Sequence, residues 1–163
     1  MAELPGRSII GRRTVLGVGL AGSAAAALGA RSEKAAAQPV VPPVPTPDAP
    51  RLVVLQLSDP DARAVNNLLF NIVNIQKHYG LDSVKVSVIA YGDGVRALLR
   101  ETTPALDRVK SLMAYGVEFV ACGSTLEATK RPQTDLIEGV SVVPAAMPEL
   151  IERQLRGWVV IHP

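Results

Sequence analysis

From Arg51 onward, short apolar runs alternate with stretches in which apolar residues recur at helical spacing. Leu52-Val53-Val54-Leu55-Gln56-Leu57 reads as a strand ended by Ser58-Asp59-Pro60, where Ser58 or Asp59 can cap the helix that follows. Val65, Leu68, Leu69, Ile72, Ile75 and Tyr79 then share one helical face, and Gly80 supplies the stop. Residues 84–91 read as a second strand, with Val86, Val88 and Ala90 alternating against Lys85, Ser87 and Ile89. Gly92-Asp93-Gly94 turns the chain toward a helix over 95–100. Pro104 can open another that runs to Tyr115, with Leu106, Val109, Leu112 and Met113 on one face. Further strands are predicted over 117–121, 140–143 and 158–161, with a short helix over 148–155. Alternation of this kind predicts right-handed crossovers and a mainly parallel sheet of about five strands, covered on both faces. No internal repeat is visible.

The first fifty residues follow another pattern. Gly11-Arg12-Arg13-Thr14-Val15-Leu16 sets paired arginines before an apolar stretch over 15–30, and Ala35-Ala36-Ala37 offers the small residues of a cleavage site. Residues 1–37 therefore read as a twin-arginine signal peptide, which implies export to the periplasm. The apolar stretch is interrupted by Gly and Ser and falls short of the roughly 20 residues that span a bilayer. Retention as an N-terminal anchor is the alternative; once the leader is removed, no stable membrane span is expected. Residues 38–50 hold six prolines, which favour extended geometry, so this segment reads as a linker, with one domain over 51–163.

Charge follows the same division. Of the 17 basic and 15 acidic residues, five and two precede Gln38, leaving 12 and 13. A near-neutral domain without a basic run gives no reason to expect nucleic acid as a partner. Aromatic residues make up 4% of the chain, so the core is aliphatic.

Cys122 is the single cysteine, which rules out an internal disulfide. It follows the apolar run 117–121 and precedes Gly123-Ser124-Thr125, a turn that can cap a helix. Ligands of parallel sheets bind beyond the carboxyl ends of the strands. A thiol there, beside N–H groups at a helix start, has a stabilised thiolate. A packed, inert cysteine is the alternative. Gly92-Asp93-Gly94 falls on the same edge, where two glycines let the backbone approach a ligand or simply make a tight turn. Asp93 could accept a proton or hydrogen bond near the thiol if the two loops meet. His78 suits a helix C-terminus, and His162 is a distant candidate partner for Cys122. Asn67, Asn71 and Asn74 share a polar helical face that is either solvated or bonded across a subunit interface. Two histidines and one cysteine make no metal-ligand spacing, and no cofactor fingerprint occurs.

The stretch 116–126, centred on Cys122, resembles the cysteine segment of DsrE-like proteins. Asn71 and Asn74, Tyr91-Gly92-Asp93-Gly94-Val95 and the closing stretch from Val143-Pro144-Ala145 to Ile161-His162-Pro163 are similar as well. The resemblance covers nearly all of 52–163. It implies a three-layer α/β/α sandwich and homo- or hetero-oligomers. It also implies sulfur relay with Cys122 as persulfide carrier, working with a sulfur donor or acceptor protein; the candidate ligand edge, read from the carboxyl ends of the strands, comprises Gly92, Asp93, Gly94, Gly123, Ser124 and Thr125. Two other readings stand beside it: a non-catalytic oligomeric module that binds a small ligand or protein, and a redox sensor that forms an intersubunit disulfide.

Overall fold

The computed structural model describes residues 42–163. The predicted leader and the first residues of the proline-rich segment lie outside them. In chain order the elements are β1 (Arg51–Leu57), α1 (Ala62–Tyr79), β2 (Val84–Ala90), α2 (Leu106–Ala114), β3 (Glu118–Cys122), α3 (Gly123–Ala128), β4 (Ser141–Val143), α4 (Ala146–Leu155) and β5 (Val159–Ile161). Two 3₁₀ turns, Gly92–Leu98 and Gln133–Asp135, complete the set.

All five strands are parallel, in the order β4-β3-β2-β1-β5. From β1 to β4 the chain steps across the sheet in one direction, so right-handed crossovers put α1 and α2 on one face. The Gln76 side chain of α1 donates to the Tyr115 carbonyl at the end of α2, 3.1 Å away, which joins the two helices. The β4–β5 connection returns past three strands and places α4 on the other face, giving an α/β/α sandwich.

The core is aliphatic, as the composition predicts; Phe119 is its largest fully buried side chain. The predicted alternation in β2 does not survive, because Ser87 and Ile89 are as buried as Val88. A central strand covered on both faces has no solvent side to read as polar. The buried Ser87 hydroxyl lies opposite Glu118 in the β2–β3 register.

Three boundaries differ from the sequence reading. The cap of α1 is Asp61, whose carboxylate accepts from the N–H groups of Arg63 (2.8 Å) and Ala64 (3.2 Å). Asp59 instead accepts from the Asp61 N–H, and Ser58 turns toward His162. The segment after β2 is a 3₁₀ turn that begins at Gly92 rather than an α-helix over 95–100. The segment lies close against β1: a Cβ on Gly94 would sit 2.1 Å from the Leu57 carbonyl oxygen, so only glycine fits. Between α3 and β4 the chain adds a bridge, Leu99 to Leu136, that no local pattern announced. Among the described residues, no helix is long and apolar enough to cross a membrane.

Candidate functional site

Cys122 ends β3 and is the residue from which α3 starts, so the strand delivers its sulfur to the carboxyl edge of the sheet. Side chains alternate along β3, and those of Glu118, Val120 and Cys122 share the face that α4 covers. The Cys122 Sγ lies 3.1 Å from the Ser124 hydroxyl and 3.4 Å from the backbone N–H of Ala146, the first residue of α4. Burial alone would raise the thiol pKa. The hydroxyls of Ser124 and Thr125 and the N–H groups of Ala146 and Thr125 outweigh that and hold it below the ordinary thiol value. The residue is only 4% exposed, so the sulfur is covered in this conformation.

The two glycine-bearing loops meet. The Gly92 N–H donates to Thr125 Oγ1, 3.2 Å away, which joins the turn after β2 to the turn after β3. Gly123 lets α3 start close to β4, since a Cβ there would sit 2.9 Å from the Val143 carbonyl oxygen. Asp93 lines a cleft of about 200 Å³ with Gly92, Arg96, Thr125, Thr129 and Arg131. Thr125 thus faces both the cleft and the thiol. Among the described residues no hydrogen bond joins Asp93 to Cys122.

His162 is not brought to Cys122. Its Nε2 lies 3.4 Å from the Ser58 hydroxyl, beside an open groove of about 510 Å³ at the carboxyl ends of β1 and β5 that Asn67 and Asn71 also line. A more apolar groove of about 440 Å³ runs between α1 and α2 and contains none of the sequence-predicted site residues. Among the described residues no cluster of His, Cys, Asp and Glu could hold a metal ion.

Sequence reasoning missed a charged cluster on the α4 face. Arg153, buried under α4, donates to Glu118 (2.7 Å) on β3 and to Glu149 (2.7 Å) one turn earlier in the helix. Its guanidinium also stacks over Trp158, 4.8 Å from the ring centre. Burial alone would raise the Glu118 pKa and lower that of Arg153. Arg153 and Ser87 reverse the first, lowering the Glu118 pKa, and Glu118 with Glu149 reverses the second, raising that of Arg153. Two sequence signals pointed here: an acidic residue opening an apolar strand, and an arginine at position 153 on the buried stripe Ala146-Leu150-Arg153.

No curated protein matches the chain. Among solved structures, MTH1491 of Methanobacterium thermoautotrophicum, a protein of unknown function, is 34% identical. The match covers 69% of this chain and 99% of that one, with a TM-score of 0.66. The E. coli ychN protein is 17% identical over 69% and 99% of the two chains, with a TM-score of 0.58. BT1422 of Bacteroides thetaiotaomicron is 18% identical over 68% and 93%, with a TM-score of 0.54. The last two share the fold. Residues 51–163 match the DsrE/DsrF-like family, and the chain belongs to it.

Proposed function

We propose that this domain is exported by the twin-arginine route and carries sulfane sulfur as a persulfide on Cys122. The observation that carries the reading is the set of donors around one sulfur, the Ser124 hydroxyl at 3.1 Å and the Ala146 N–H at 3.4 Å, on the sheet's carboxyl edge. These groups favour the thiolate, which is the attacking species in sulfur exchange.

In the proposed step the Cys122 thiolate attacks the outer sulfur of a persulfide or polysulfide donor. The new Sγ–S bond forms as the donor's S–S bond breaks, and the donor departs as a thiolate. Cys122 is left as Sγ–S–H. An acceptor thiolate then attacks that outer sulfur, forms its own S–S bond and returns the Cys122 thiolate. No external oxidant or reductant is consumed. Ser124 and Thr125 stabilise the thiolate, and the Gly92 N–H fixes Thr125. Gly94 and Gly123 allow the backbone to pack closely, and the cleft beside Asp93 is the proposed donor entry, which shares Thr125 with the thiol's surroundings. At 4% exposure, attack requires a local shift of the segments around Cys122.

The test is intact mass of the native protein after exposure to polysulfide. A gain of one sulfur in the wild type, absent in Cys122→Ser, supports the reading. No gain in the wild type, or a gain that persists in the variant, removes it.

The same 4% exposure favours a second reading, in which Cys122 is packed and the domain is a binding module. That reading expects slow alkylation of the native thiol and unchanged partner or ligand binding by Cys122→Ser.

A further inference from the structure

The buried stripe of α4 meets β3 at two points. Ala146 begins the helix with its N–H on the Cys122 sulfur, and Arg153 sits over Glu118 at the start of the strand. Seven residues of helix advance about 10 Å, and four residues of strand about 13 Å. The helix therefore runs back along the strand, fixed at one end by a weak N–H···S contact and at the other by a charged cluster. Arg153 ties together three elements: β3 through Glu118, the first turns of α4 through Glu149, and the start of β5 through Trp158. Its own side chain is 9% exposed, whereas a surface ion pair would hold little.

We propose that Arg153 is a positioning residue for the Cys122 thiol: by binding Glu118 and Glu149 it locks α4 on β3 in the register that keeps the Ala146 N–H on the sulfur. This rests on the reading of Cys122 as the working thiol. Charged groups on the elements around the sulfur are Glu118, Glu149, Glu152, Arg153, Glu127, Asp93 and Arg96. Among the described residues Arg153 makes no hydrogen bond to the sulfur; its partners are Glu118 and Glu149. Its proposed action on the thiol therefore runs through the backbone of α4.

That distinction fixes the experiment, pH-dependent alkylation of the native protein in three forms: wild type, Arg153→Met and Glu118→Gln. If Arg153 acted by charge, removing it would raise the thiol pKa and removing Glu118 would lower it. If it acts by position, both variants raise it. Alkylation at a fixed pH below the wild-type value should then slow about three- to tenfold in each, the range expected when one hydrogen bond to a thiolate loosens. Glu118→Gln keeps the shape of a half-exposed side chain, and so remains informative if Arg153→Met fails to fold. A thiol pKa unchanged or lowered in folded Glu118→Gln overturns the positioning role. Sulfur loading of the wild type, measured alongside by intact mass, separates the two ideas. Loss of loading there would sink the persulfide reading while leaving the pKa comparison intact.

Discussion

The N–H of Ala146 points at the sulfur of Cys122 from 3.4 Å, joining residues 24 positions apart. A loop and a strand end thereby place the first turn of α4 against the only thiol. The Ser124 hydroxyl meets the same atom from the strand's own continuation. A covered sulfur with several donors is an unusual combination for a residue that only fills space, because packed cysteines in apolar surroundings have raised pKa values.

Removing the Ser124 hydroxyl should raise the thiol pKa. Ser124→Ala is expected to slow alkylation at neutral pH about three- to tenfold, with an unchanged circular dichroism spectrum. Equal rates for the two proteins would show that the 3.1 Å contact does not act on the thiolate.

The glycines of the turn after β2 should differ sharply. A Cβ on Gly94 meets the Leu57 carbonyl oxygen at 2.1 Å, whereas one on Gly92, at φ +53°, meets nothing within 4 Å. Gly94→Ala should cost more than about 3 kcal/mol or prevent folding, as backbone overpacking does. Gly92→Ala should cost only about 1–2 kcal/mol of left-handed strain. Urea denaturation of the two variants measures the difference.

Acid should dissolve the Arg153 cluster. The Glu118 pKa is lowered in the folded protein, because the hydrogen bond and charge of Arg153, with a hydrogen bond from Ser87, outweigh burial. Its stabilisation is then fully present above the ordinary glutamate pKa of about 4.3 and is lost as pH falls through the lower folded value. Wild type should exceed Glu118→Gln in stability at neutral pH, with the gap closing in acid. A gap that persists at low pH, read from denaturation curves across the range, would contradict the assignment.

Capping gives a cleaner local test. Asp61→Ala should destabilise the domain by about 1 kcal/mol, the usual cost of a lost N-cap. Ser58→Ala should leave helix stability unchanged, because Ser58 caps nothing and lies 3.4 Å from His162. Thermal unfolding of both variants decides which residue starts α1.

Much of this architecture was legible in the sequence because its signals are local. The apolar runs that became β1 and β3, the face of α1 built on Val65, Leu68, Leu69 and Ile72, and the stop at Gly80 all rest on periodicity and glycine. What stayed hidden is long-range. Ser58, Asp59 and Asp61 are all plausible caps, and only the path of the chain past His162 selects one. The 3₁₀ turn depends on Gly94 meeting β1, and the burial of Ser87 on the sheet being covered from both sides. At the site, a helix start just after Cys122 was legible from residue order, but residues 123–125 are the first turn of α3 itself rather than a turn that caps it, and Cys122 takes the N-cap position. The Arg153–Glu118 pair spans 35 residues with no motif to mark it. The contact from the Ala146 N–H to the Cys122 sulfur is equally long-range, and nothing near Cys122 in sequence announces it.

The most direct measurement is the rate of Cys122 alkylation in the native wild-type protein as a function of pH. The account predicts labelling of the folded chain with a half-maximal rate below the ordinary thiol pKa. Labelling that appears only on unfolding, or that follows an ordinary or raised thiol pKa, would contradict it.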